Sequence, residues 1–165
     1  MADENTMESA TGPAVGFAPD EIDTTAPTRA ARLKWVIVVD GALPAGRAVN
    51  AAACVAAATS AAVGGLLGDD AVDGGGLVHP GLPWAGCSVL VADAAALRAV
   101  RAKAASSAGC FVADMPAAAQ HTRVYADYLG AMKETPAEDV AYSAVSVVGP
   151  RNRVDKIVGR LPLMP

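Results

Sequence analysis

Aromatic side chains are scarce in this chain: two Trp, three Tyr and two Phe among 165 residues, although 53% of the residues are hydrophobic. The apolar content is therefore mostly Ala, Val and Leu. That excludes a core built on an aromatic cluster and favours close packing of helices on a sheet. Cysteine is as rare, at positions 54, 87 and 110 only, with no CxxC or His-rich spacing around it. Neither a disulfide framework nor a zinc site is indicated, no metal or cofactor is expected, and a reducing compartment is the simpler reading. A single domain of this length buries a sizeable core without such staples.

Long hydrophobic runs of the kind a bilayer needs are also missing. The stretch from Ala48 to Leu67 is apolar, but it is mainly Ala and Gly and contains Asn50, Thr59 and Ser60. Ala and Gly contribute little transfer free energy, so a buried soluble helix is expected there and no membrane partner. The opening MADENTMESA begins with acids instead of a basic segment followed by an apolar one, so no secretory signal is read and a cytoplasmic protein is expected.

Clustered positive charge is the third absence. The net charge of −4 sits in residues 1–31, where six acids face Arg29 alone, and the rest of the chain is close to neutral. An extended nucleic-acid surface is not expected, because displacing counterions from phosphates requires clustered Lys and Arg. Residues 1–31 also contain Pro13, Pro19 and Pro27 and keep no helical or strand period. They read as a flexible acidic leader ahead of one α/β domain spanning 32–165.

What is present is an alternation of strands and helices. Trp35 to Val39 reads as a strand, followed at Asp40-Gly41 by a short loop and an alanine-rich helix from about Arg47 to Val63, best buried on most sides. Gly64 and Gly65 end it, and a glycine- and proline-rich loop runs to Gly86, of the length used for lids and binding loops. Ser88 to Ala92 gives a second strand, and Asp93 caps the helix that follows. Gly109 stops that helix. Cys110 to Ala113 forms a third strand ending at Asp114, with Met115-Pro116 as its breaker. One helix is expected over Gln120 to Met132, from Val124, Tyr125, Tyr128, Leu129 and Met132 at helical spacing. Thr135-Pro136-Ala137-Glu138 has the form of a capping box. Val140 to Val148 is the fourth strand, ended by Gly149-Pro150, and Arg151 to Arg160 the last helix. This order predicts a three-layer α/β/α domain on a four-stranded, mostly parallel or mixed sheet.

Several residues have the chemistry of a site. Arg47 and Asn50, with Gly46, stand at the start of the first helix, where unpaired N–H groups and the helix dipole favour an anion. The alternative is a solvated Arg47 and an Asn50 that caps backbone groups. Asp114, at the carboxyl end of a strand, lies where open α/β sheets tend to bind ligands, or it is a turn residue. His79, in the long loop, and His121 are candidate bases near neutral pH, or surface residues. Cys54 reads as a small buried thiol, since nothing near it in sequence lowers its pKa. Asp69, Asp70 and Asp73 lack the register of a calcium loop.

KWVIVVDGALPAGRAVNAAACVAAATSAA resembles the opening of type-2 peptidyl-tRNA hydrolases: a strand, a glycine-containing basic loop and an alanine-rich helix. ALRAVRAKAASSAGCFVAD is similar to their helix, Ala-Gly turn and strand, and AVSVVGPRNRVDKIVGRLPLM resembles their ending. A closer similarity is to the uncharacterised bacterial family DUF 2000, through the pattern Leu43, Pro44, Gly46 and Asn50. The resemblance covers residues 33 to 165 and implies the peptidyl-tRNA hydrolase-like fold. It implies a hydrolase or transferase acting on an acyl, aminoacyl or peptidyl ester. In the hydrolases the basic loop is lysine-rich and an Asp-Ala-Gly-x-Thr segment carries the catalytic Asp. Here Arg47 is the one basic loop residue, that segment is absent and Ala144 precedes Val145, leaving Asp114 and Thr122 to stand in. The second expectation is a non-catalytic module, in a homodimer, that holds a small metabolite or a protein partner.

Overall fold

A computed structural model describes residues 14–165. The elements are β1 (Leu33–Asp40), α1 (Ala45–Ala62), β2 (Ala71–Val72), β3 (Val78–His79), β4 (Ser88–Ala92), α2 (Ala94–Ala105), β5 (Phe111–Pro116), α3 (Ala118–His121), α4 (Tyr125–Glu134), β6 (Tyr142–Pro150) and α5 (Arg151–Val158). Four strands form one sheet in the order β4-β1-β6-β5. β1 and β4 are parallel, and β6 runs antiparallel to both β1 and β5, so the sheet is mixed. β2 and β3 form a separate two-stranded hairpin.

The centre of the sheet follows from its residues. β1 and β6 are nearly unbroken runs of apolar side chains because both faces are covered. Alternation then sorts them: Trp35, Ile37, Val39, Ala144 and Val148 meet α1, while Val36, Val38, Val145 and Val147 meet α2 and α5. Each buried Val or Ile contributes about 1.5–3 kcal/mol. Leu97, Val100 and Ala104 of α2 and Val154, Ile157 and Val158 of α5 complete the second face.

One polar group interrupts the first face. Trp35 Nε1 donates to Ser146 Oγ at 2.8 Å, the Ser146 and Thr59 hydroxyls lie 2.7 Å apart, and Thr59 Oγ1 bonds the Val55 carbonyl at 2.7 Å. Because the indole can only donate and the carbonyl only accept, one proton order satisfies the whole chain, with Ser146 donating to Thr59. The arrangement ties α1 to β1 and β6 with no polar group left unpaired.

Several expectations need correction. α1 is not buried on most sides: Ala48, Ala51, Val55 and Thr59 form one buried stripe, and its outer half is exposed. β5 runs through Met115 into Pro116 rather than breaking there. Proline is tolerated because β5 is an edge strand, and the register shifts at that step. The helix expected over 120–132 is two, since Thr122 and Val124 take extended conformations between α3 and α4. Thr122 Oγ1 bonds the Ala118 carbonyl at 3.1 Å and satisfies the end of α3. The capping box does not form, because the Thr135 hydroxyl bonds the Ala131 carbonyl instead; the one short turn expected after it is present as a 3-10 turn, Ala137–Asp139.

The leader expected over 1–31 lies partly outside the described residues, and its described part belongs to the domain. Phe17 is buried against Trp84, with ring centroids 4.8 Å apart, and its N–H donates to the Gly64 carbonyl at 3.0 Å. Arg32 holds this segment in place through Glu21 and the Gly16 carbonyl. At the other terminus, Val91 N–H donates to Pro162 and Met164 N–H to Val89, each at 3.0 Å, so the tail covers the free edge of β4.

Candidate functional site

Among the described residues no strand pairs with the outer edge of β5, and the chain leaving it turns back through α3 and α4 beside α1. Between them lies a cleft of about 330 Å³. α1 contributes Cys54 and Val55, β5 contributes Asp114, Met115 and Pro116, and Ala119, Thr122, Arg123, Val124, Tyr125 and Tyr128 close the third side. The extended link at Thr122 to Val124 separates α3 from α4, and Arg123, Tyr125 and Tyr128, on it and just after it, line this volume. The Tyr125 and Tyr128 rings meet edge to face with centroids 5.5 Å apart. Burial, followed by the charges of Tyr125 and Asp114, pushes the Tyr128 phenol above its ordinary pKa.

Asp114 stands between two hollows. Arg101 Nε of α2 donates to Asp114 Oδ2 at 3.0 Å. The Arg101 guanidinium also lies 5.8 Å from the centre of the Tyr142 ring. The hydrogen bond to Asp114 is the main reason its pKa rises further. A second hollow, of about 320 Å³, lies on this side and is lined by Arg101, Asp114, Met132 and Tyr142 among others. Asp114 is therefore reached from the cleft on one side and oriented by a cation on the other.

Of the residues singled out from the sequence, Asp114 and Thr122 meet in the cleft. Gly46, Arg47 and Asn50 are exposed at the start of α1 and do not line it. They are tied to α3, however: Gln120 Nε2 donates to the Arg47 carbonyl at 2.8 Å and to Asn50 Oδ1 at 3.4 Å. His121 is exposed at the end of α3, beside the cleft but not among its lining residues. His79 sits on the exposed β2–β3 hairpin, its Nε2 3.4 Å from Asp73 Oδ2. Cys54, expected to be buried, is exposed and lines the cleft.

Sequence reasoning missed Arg101, Arg123, Tyr125 and Tyr128 as site residues. Tyr125 and Tyr128 are two of only three tyrosines, and that concentration was the available signal, though they were read only as part of a helical period. Nothing local marks Arg101, because its pairing with Asp114 depends on how α2 packs on β5. The arrangement can hold a small amphiphile: Val55, Met115, Pro116 and Val124 offer apolar contact, and Arg123, Thr122 and Asp114 offer polar ends. Among the described residues no group of three or more His, Cys, Asp or Glu is placed to hold a metal, and no helix is long and apolar enough to cross a membrane.

A mixed four-stranded sheet with helices on both faces, and a cleft at its β5 edge, defines an α/β protein with a small-molecule-sized site. A family model described as "Protein of unknown function (DUF2000)" matches residues 33–165, and the chain belongs to that family. The structure is similar to that of a protein of unknown function, Atu0240 from Agrobacterium tumefaciens strain C58, with a TM-score of 0.72 and 18% sequence identity over 81% of this chain and 98% of that one. At that identity the likeness is one of fold. No curated protein matches the chain.

Proposed function

We propose that this protein binds a small amphiphilic compound with an anionic end in the cleft between α1, β5 and α3–α4. The observation that carries the reading is convergence. Residues from four elements surround one hollow of about 330 Å³. Its apolar walls and few polar groups are the composition of small-molecule sites. Arg123 takes the anionic end, the Tyr128 hydroxyl orients the ligand, and an acyl or aminoacyl chain lies against Val55, Met115 and Tyr125. A thermal-shift screen of small acyl and aminoacyl carboxylates tests it, since a ligand that binds only the folded state raises the melting temperature. A hit that survives in Arg123→Ala and Tyr128→Ala alike sinks the assignment.

A second reading, hydrolysis or transfer of an acyl, aminoacyl or peptidyl ester on a peptidyl-tRNA hydrolase-like fold, is favoured by one specific observation. Asp114, two residues before the end of β5, lines the cleft together with Thr122 and the exposed Cys54. In that reading Asp114 moves the proton, and Arg47 and Asn50 hold the far end of a substrate that extends past Gln120. The two histidines contribute nothing, since neither lines the cleft. Turnover of small esters and of charged tRNA is the measurement, with Arg47→Ala and Asp114→Ala as controls. Equal background rates in all three proteins reject catalysis and leave the binding reading standing.

A further inference from the structure

At the opposite end of the sheet from the cleft, the first residues of β1 and β4 enclose a hollow of about 270 Å³. Arg29, Lys34 and Arg151 line it together with Gly86 and Ser88, and among the described residues no carboxylate does. Gly86, at a φ of +74°, turns the chain so that residues 85–88 form one wall. The residues come from four separate parts of the chain, so the gathering of three cations is a product of the fold and not of a basic run in sequence.

Arg151 is the informative member. Its Nη2 donates to the Thr28 and Ala31 carbonyls at 3.2 and 3.3 Å. Its Nε is buried and has no hydrogen-bond partner among the described residues. A buried donor without an acceptor destabilises the fold unless something supplies one. Lys34 is balanced by Asp155, Nζ to Oδ1 2.6 Å, whereas neither Arg29 nor Arg151 makes an ion pair among the described residues. Like charges facing one concave volume repel, and an oxyanion placed there removes the repulsion and offers the Arg151 guanidinium an acceptor.

We infer that this hollow binds the phosphate group of a small molecule. The planar Arg151 guanidinium with Arg29, both without an ion pair among the described residues, favours a dianion over a monoanionic carboxylate. The concave shape and modest volume suit a phosphorylated small molecule rather than a polymer backbone laid across a surface. The site is independent of the cleft at β5, and neither assignment rests on the other.

Inorganic phosphate is the probe, titrated into the full chain at low salt and followed by the backbone signals of Gly86 and Ser88 and the Nε–H signal of Arg151. Saturable shifts are expected, with acetate binding more weakly. Arg29→Gln, an exposed position that leaves packing intact, and Arg151→Lys, which keeps charge but loses the fork, should each weaken binding about tenfold, the scale of one charge-assisted hydrogen bond. Arg123→Gln, in the other site, should leave it unchanged. Absence of saturable shifts overturns the assignment. So do shifts unaltered in both variants, or acetate binding as tightly as phosphate.

Discussion

Two of the regions with the sequence features of a site differ in what surrounds them: the segment around Asp114 lines the cleft, and the hairpin around His79 does not. The excursion from Leu66 to Gly86 carries His79, three aspartates and a run of glycines; the segment from Phe111 to Tyr128 carries Asp114 and Thr122. In the first, residues 71–80 are all exposed. The excursion satisfies its polar groups internally: Asp73 accepts from Gly75 N–H at 2.8 Å and Leu77 N–H at 3.0 Å, and Asp70 from Gly81 N–H at 2.9 Å. In the second, an edge strand and a broken helix face α1 across a cleft. The difference is that reactive residue types make a site only where separate elements aim them at one volume, and local hydrogen bonding can use up the same residues as a turn.

The largest effect that sharpens this contrast is on stability. Met115 is buried, and it both packs in the core and lines the cleft. Met115→Ala should cost about 2–5 kcal/mol in denaturant unfolding, whereas Leu77→Ala on the exposed hairpin loop should stay within about 0.5 kcal/mol. Equal costs would break the comparison. Next in size, Ser146→Ala leaves the Trp35 indole N–H without its acceptor and should cost about 1–3 kcal/mol. Arg101→Gln comes third: the pair with Asp114 is partly exposed, so stability should fall by about 1 kcal/mol or less. Ligand affinity in the cleft should drop with it if Arg101 orients Asp114.

The smallest effect is one of pH. The Arg32 guanidinium, followed by the Ala18 N–H, holds the Glu21 carboxyl down to about 2, against an ordinary 4.5. A depressed folded-state value means that the contribution is fully present above 4.5 and is lost as pH falls from there toward 2. Acidification over that window should loosen the Phe17–Trp84 contact before the sheet unfolds, seen as a change in Trp84 emission. In Arg32→Gln the change should vanish from that window.

The strands and main helices were legible because they are written locally. The β-branched runs at Val36 to Val39 and Val145 to Val148, Asp93 as a cap that accepts from Ala96 N–H, and Gly109 at a φ of +75° all act within a few residues. The sheet order was not legible, since β1 pairs with β6 more than a hundred residues away in sequence. Phe17 was lost in an acidic, proline-rich stretch, and only the groove beside Trp84 explains its burial. For the site, Asp114 was singled out as a strand-end residue; it lines the cleft, but from within β5, two residues before the strand ends. The continuous helical period across Thr122 hid the break between α3 and α4, on and just after which Arg123 and Tyr128 line the cleft. Cys54 was misjudged because its outward position depends on α1 covering the sheet with one stripe alone.

The central claim is that the cleft between α1, β5 and α3–α4 is where a small molecule binds. Backbone and side-chain NMR shift mapping with a panel of small acyl and aminoacyl carboxylates tests it most directly. The account predicts saturable perturbations grouped at Cys54, Asp114, Thr122, Arg123 and Tyr128, none over residues 71–80, and their loss in Arg123→Ala. Perturbations centred on His79 and the hairpin, or on none of the cleft residues for any compound in the panel, would contradict it.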